Sequence, residues 1–153
     1  MLAVPKSWLG LPGDEPTLLG RAGSLRPAYG AALDEVLAAI WDQDVIDAAT
    51  LELCRLRIAQ LLGADATPLR VDAQLADALP QWPTDARFDP RLRAVLGFAE
   101  QVLFDAQEVT DEQAREVIDA VGEDGLLVLT YACGIFETTQ RAELILAATG
   151  RSG

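Results

Sequence analysis

Helix-start and helix-stop signals divide this sequence, and apolar residues recur at helical spacing between them. The clearest case is the segment 51–62, in which Leu51, Cys54 and Ile58 share one helical face. A strand with one buried face alternates apolar and polar residues, and no stretch of useful length has that pattern. The sequence therefore predicts an all-α fold of about six helices.

The N-terminal segment has a different composition from the rest of the chain. Residues 1–28 contain four prolines and four glycines. Because both residue types interrupt helix and strand patterns, we expect an arm here rather than a domain. A first helix follows Pro27 and continues to Trp41. Residues 29–150 are then predicted to form one helical domain, which is long enough to bury a single core.

Capping residues mark the next two predicted helices. Asp44 or Asp47 can accept a free N–H of the first turn, and Gly63 is a natural residue to close the helix. Thr67 and the proline after it repeat the start signal, because proline at the first helical position gives up an N–H that has no partner. We expect a third helix over roughly 68–79, with Thr67 as its N-cap.

Three more helices are predicted in the C-terminal half. An aspartate followed by proline begins an amphipathic helix over 89–106. Thr110 and Gln113 have the spacing of a capping box and begin a short helix that Gly122 closes. The last helix is predicted to run from about 124 to 148.

Charge and composition exclude several classes of function. The 153 residues carry 24 carboxylates against 12 basic groups, so the net charge is −12, and nucleic acid and membrane surfaces are not expected as partners. The chain has no histidine, which excludes histidine-based catalysis and imidazole metal sites. The longest apolar run, 125–136, is too short to cross a bilayer. We expect a cytoplasmic protein that uses no metal and no cofactor.

The two cysteines are predicted to be structural. Cys54 lies on the apolar stripe of a helix, and Cys133 lies within the apolar sequence TYACGIF. Burial of this kind raises the pKa of a thiol and makes it unreactive. Two separated cysteines also form neither a disulfide framework nor a Cys-x-x-Cys pair.

The segment 51–71, LELCRLRIAQLLGADATPLRV, resembles the signature of the AhpD-like or carboxymuconolactone decarboxylase superfamily. In the redox members of that family, a glutamate is followed by eleven residues, Cys-x-x-Cys, three residues and a histidine. Glu52 stands at the glutamate position, and the Arg-Leu-Arg at 55–57, the Ala-Gln-Leu at 59–61 and Gly63 also agree with the pattern.

The reactive residues of that signature are replaced here. Ala64 and Thr67 stand where the two cysteines would be, and Val71 stands where the histidine would be. Ala66 occupies the position at which alkylhydroperoxidase members carry a further histidine. A threonine hydroxyl does not ionise as a thiol does at a helix N-terminus. Thiol peroxidase activity is therefore not expected.

The resemblance covers roughly 28–149 and implies an architecture as well as an assembly. The helix at 89–106, the short helix after Thr110 and a last helix containing Gln140-Arg141-Ala142 look like the C-terminal half of the family. Family members more often have Asn-Arg at that last motif. The resemblance implies an orthogonal helical bundle that forms a homotrimer or a hexamer of two trimers. A dimer is the alternative assembly.

Glu52 has two open interpretations. It can form an ion pair with Arg55, one turn later on the same helix, and serve packing alone. Alternatively, it can be a carboxyl group with a raised pKa at the floor of a pocket, where it transfers protons near neutral pH.

Three functional hypotheses follow. The chain can be a family member without redox chemistry that binds a small apolar or carboxylated molecule. It can be a cofactor-independent lyase or isomerase that uses Glu52 as acid and base. It can also be a structural oligomer. Candidate substrate-binding residues are Arg55, Thr67, Tyr131 and Arg141, of which Arg141 can also pair with Glu137 at i, i+4.

Overall fold

A computed structural model of the chain describes residues 6–11 and 13–147. This part of the protein contains six α-helices and no strand, which confirms the all-α prediction and its helix number. One isolated antiparallel β-bridge joins Ser7 to Ala147. The helices are α1 (Leu18–Ala22), α2 (Pro27–Trp41), α3 (Ala48–Leu62), α4 (Ala73–Ala78), α5 (Pro90–Asp105) and α6 (Asp111–Leu146). None of these helices is long and apolar enough to cross a membrane.

Helices α3, α5 and α6 pack against one another and form the centre of the molecule. The stripe predicted on α3 is confirmed, because Leu51, Cys54 and Ile58 are all buried. They face apolar residues of the other two helices, such as Leu96 of α5 and Leu129 of α6, in one continuous core. The two shorter helices and the N-terminal segment lie around this centre.

Local signals set most helix boundaries. Asp47, rather than Asp44, caps α3, and Gly63 closes it in the left-handed conformation with φ of 72°. Asp89 caps α5 through the N–H of Leu92. Thr110 forms the predicted capping box with the side chain and N–H of residue 113. At each of the three N-caps, the side chain accepts the N–H of the residue three positions later, which the first helical turn leaves free.

The N-terminal arm contains a helix that its composition did not predict. Thr17 caps α1, and Leu18 is buried. The carboxylate of Glu143, near the end of α6, accepts the N–H groups of Leu18 at 3.1 Å and Leu19 at 2.8 Å. A carboxylate distant in sequence thus accepts two N–H groups that the first turn of α1 leaves free. It stabilises a short helix in a segment rich in proline and glycine.

The helix predicted over roughly 68–79 is present only in its second half, and its predicted start at Thr67 is wrong. Residues 64–72 lie outside any helix, and α4 begins at Ala73 with Asp72 as its N-cap. The N–H of Leu69 donates to Glu52, and the carbonyl of Thr67 accepts from Arg55. Because side chains of α3 hold these backbone groups, the segment is fixed in a non-helical conformation.

Gly122 separates two helical segments of α6, as predicted. Its φ of 81° and ψ of 174° break the helix, a conformation open essentially to glycine alone. The guanidinium of Arg91 donates to the carbonyl of Ala120 at 2.9 Å and also contacts Asp47, the cap of α3. The break is therefore tied to the starts of α3 and α5. The predicted end at 148 lies outside the described residues.

Candidate functional site

Glu52 is fully buried within α3, and its carboxylate receives hydrogen bonds from three residues. Arg55 donates from Nε at 2.9 Å and from Nη2 at 2.7 Å. The backbone N–H of Leu69 donates at 2.7 Å, and Arg70 Nη1 lies at 3.5 Å. Both carboxylate oxygens are therefore occupied, and the predicted pairing of Glu52 with Arg55 is confirmed.

The loop after α3 supplies the other half of this cluster. Arg55 Nη2 also donates to the Thr67 carbonyl at 2.8 Å, so one guanidinium joins the carboxylate to the loop. The guanidinium carbon of Arg70 lies 3.6 Å from the centre of the Trp41 ring, a cation–π contact. The centre of the Trp41 ring lies 5.3 Å from the centre of the Phe136 ring in α6. The cluster thus connects α2, α3, α6 and the loop.

The charges around Glu52 determine its protonation. Burial alone would raise the pKa of Glu52, but the hydrogen bonds from Arg55 and Leu69 and the charges of Arg55 and Arg70 outweigh it. The pKa of Glu52 is therefore below its ordinary value. Of the two interpretations of Glu52, the ion pair agrees with this direction and the raised pKa does not, because a second arginine and an N–H also reach this carboxylate. Glu52 is ionised at neutral pH and acts as an acceptor.

The structure gathers only some of the predicted site residues. Glu52, Arg55 and the backbone carbonyl of Thr67 meet in this cluster. Thr67 itself is an exposed residue. Tyr131 and Arg141 are exposed on α6 and take no part in the hydrogen bonds of Glu52. Arg141 donates to Glu137 at 2.9 Å, as its i, i+4 spacing predicted.

Two partners of Glu52, Leu69 and Arg70, were not predicted from the sequence. The contact of Arg70 with Trp41 was not predicted either. Leu69 contributes only its backbone, so its side-chain identity carries no signal. Arg70 lies 18 positions after Glu52 in a loop, where no helical spacing rule applies. Only the three-dimensional path of the loop brings these groups together.

A small cavity lies beside Ala64 and Ala66. Its volume is about 110 Å³, and Glu52 is not among its lining residues. It is lined by Leu56, Ala59, Gln60, Ala64, Ala66, Pro68, Ala76 and Asp77. Drug-sized ligands usually occupy pockets of about 300 to 1,000 Å³. Val71 is partly buried and packs against the core.

A larger depression, of about 570 Å³, lies on the surface between the start of α5 and the first segment of α6. Arg91 and Arg93 line one side, and Glu116 and Asp119 line the other. The Nε of Arg93 is buried without a hydrogen-bond partner among the described residues. The depression is open to solvent, and no residue predicted to be functional lines it.

Neither cysteine is a candidate nucleophile. Burial raises the pKa of Cys133 to about 12 and raises that of Cys54 well above its ordinary value. Nearby negative groups, Glu137 for Cys133 and Asp47 for Cys54, act in the same direction. The predicted burial of both cysteines is confirmed. Within residues 6–11 and 13–147, no group of His, Cys, Asp and Glu could hold a metal ion.

Comparison with known protein families gives no match, and comparison with curated proteins finds no similar sequence.

Proposed function

We propose that this chain is a divergent AhpD-like protein in which Glu52 is a structural ion-pair residue and thiol peroxidase chemistry is lost. The observation that carries the proposal is the occupied carboxylate: both oxygens of Glu52 are committed to Arg55, Arg70 and the N–H of Leu69. A carboxylate held in this way orders the loop after α3. Its lowered pKa makes it a poor proton donor at neutral pH.

The residues at the family's redox positions support the loss of peroxidase activity. Peroxide reduction by a dithiol needs an attacking thiolate and a resolving thiol. Ala64 and Thr67 provide neither, and the two cysteines present are buried with raised pKa values. The lyase or isomerase alternative has less support, because it requires Glu52 to exchange a proton near neutral pH.

The proposal includes self-association and assigns no ligand. The family resemblance implies a homo-oligomer, and large apolar side chains exposed on α6 support one. The 110 Å³ cavity is small for an organic ligand, and the 570 Å³ depression is open. The helical scaffold and its assembly are therefore the proposed function.

A peroxidase assay tests the proposal directly. The full chain is incubated with hydrogen peroxide or an organic hydroperoxide and a dithiol reductant, and peroxide loss is compared with the protein-free blank. We expect no increase above the blank, and the same result for Cys54→Ser and Cys133→Ser. Thiol-dependent peroxide reduction that either substitution abolishes would overturn the proposal.

A further inference from the structure

One face of α6 points to solvent along nearly the whole segment after Gly122. We call it the α6 outer face; its residues are Leu127, Tyr131, Gly134, Thr138, Arg141 and Ile145, all of them exposed. Successive members are four, three, four, three and four positions apart. This average of 3.6 residues is the repeat of an α-helix, so the six residues lie in one row along it. From first to last member, the face is about 27 Å long at 1.5 Å per residue.

The α6 outer face carries large apolar side chains and no carboxylate, in a protein with a net charge of −12. Leu127 is 57% exposed, Tyr131 67% and Ile145 72%. The hydroxyl of Thr138 donates to the carbonyl of Gly134 at 2.9 Å, so it is satisfied within its own helix. A Cβ added at Gly134 would meet no atom within 4 Å, which leaves the middle of the face open for close approach.

The order of residues along this face is self-complementary when read in opposite directions. About a centre at the level of residue 136, Leu127 lies opposite Ile145. About the same centre Tyr131 lies opposite Arg141, and Gly134 lies opposite Thr138. Two antiparallel copies would thus pair leucine with isoleucine, an aromatic ring with a cation, and glycine with a small residue. In a parallel pair every residue would face its own copy, and Arg141 would oppose Arg141.

From this symmetry we infer that the partner of the α6 outer face is a second copy of this chain, packed antiparallel about a two-fold axis near residue 136. A two-fold interface is isologous, so each of the three pairs occurs twice. The inference rests on the self-association proposed above and names its surface. A two-fold interface fits a dimer or a hexamer of two trimers, whereas a trimer alone contains none.

A pair of tyrosine substitutions tests the surface. Tyr131→Glu places a carboxylate in the centre of the face, whereas Tyr29→Glu makes the same change at a 75% exposed tyrosine of α2. Sedimentation equilibrium measures the dissociation constant, and circular dichroism checks that each variant is folded. We expect the dissociation constant to rise about 100-fold or more for Tyr131→Glu, as for a central interface residue. Tyr29→Glu should leave it unchanged.

Cysteine cross-linking tests the register. Under mild oxidation, Leu127→Cys mixed with Ile145→Cys should give a covalent dimer of the two variants, and neither variant alone should cross-link. Cys54 and Cys133 are buried and should not take part. Self-linking of Leu127→Cys would indicate a parallel pair and overturn the inference.

The outcomes separate this inference from the proposed function. A wild-type chain that stays monomeric at high concentration would overturn both the inference and the proposed self-association. An oligomer that Tyr131→Glu does not weaken, or a trimer without a two-fold interface, would overturn the α6 outer face alone. Loss of assembly in Tyr131→Glu with the expected heterotypic cross-link would support it.

Discussion

The buried carboxylate of Glu52 accepts the backbone N–H of Leu69 at 2.7 Å, across 17 positions of sequence. This one hydrogen bond links the candidate site to the fold. It gives a partner to an N–H of the loop over 64–72, which lies outside any helix. Glu52 therefore organises local backbone structure.

Glu52→Gln should destabilise the protein. The substitution removes the negative charge beside Arg55 and Arg70 and replaces one acceptor oxygen by an amide nitrogen, which donates hydrogen bonds. Removing one partner of a buried ion pair costs about 3 kcal/mol or more of unfolding free energy. Urea unfolding monitored by circular dichroism measures the change.

Glu137→Gln is the matched control for that experiment. Glu137 pairs with Arg141 at i, i+4 on the exposed side of α6, where such a pair contributes about 0.3 to 0.5 kcal/mol. We expect a loss no larger than this. If both variants lose the same free energy of unfolding, the Glu52 cluster stabilises the protein no more than an exposed ion pair does.

The stabilisation by Glu52 should disappear in acid. The pKa of Glu52 in the folded protein is below its ordinary value of 4.5, so the unfolded chain binds the proton more readily. Stability contributed by the ionised carboxylate is then fully present above pH 4.5 and is lost as pH falls through the folded-state pKa. Asp47 and Asp85, whose pKa values are also lowered, act in the same direction.

Comparison with Glu52→Gln isolates the contribution of this one residue. Unfolding free energies of wild type and variant should differ by a constant amount from pH 7 to about 4.5 and should converge at lower pH. A difference that grows as pH falls would mean that the folded-state pKa is raised, contrary to the account.

Both native thiols should resist modification while the protein is folded. Burial keeps Cys54 and Cys133 protonated and out of contact with reagent at pH 8. With a chromogenic disulfide reagent, we expect neither thiol to react at once in buffer and both to react in concentrated guanidinium chloride. Rapid labelling of one thiol in native protein would identify a reactive cysteine that the structure does not support.

Gly122→Ala should destabilise the break in α6. A non-glycine residue at φ of 81° and ψ of 174° carries a strain of about 1 to 3 kcal/mol. Gly97→Ala is the control, because Gly97 lies inside α5 and an added Cβ would meet only the Trp82 ring at 3.4 Å. Thermal unfolding should show a lower Tm for Gly122→Ala and no decrease for Gly97→Ala. An unchanged Tm at Gly122 would mean that α6 can straighten there.

The predictable parts of this structure are those that depend on near neighbours in sequence. Asp47, Asp89 and Thr110 cap helices because their side chains reach an N–H three residues away. Gly63 and Gly122 end helical segments because their backbones adopt positive φ. All the residues that form these signals lie within one helical turn of each other, so the sequence alone predicts these helix ends.

The predictions that failed depend on distant partners. The start signal at Thr67 is overridden by Glu52, and α1 is held by Glu143, which lies 125 positions after Leu18. The sequence left the direction of the Glu52 pKa shift open for the same reason, since Arg70 reaches the carboxylate from the loop. Local spacing predicted the pair with Arg55 and could not predict the remaining donors.

The pKa of Glu52 tests the central claim most directly. The side-chain carboxyl carbon of Glu52 can be followed by NMR from pH 7 to pH 2 and assigned by its absence in Glu52→Gln. We expect a midpoint below 4.5, because Arg55, Arg70 and the N–H of Leu69 stabilise the ionised carboxylate. A midpoint near neutral pH would overturn the structural role of Glu52 and would support a carboxyl group that transfers protons.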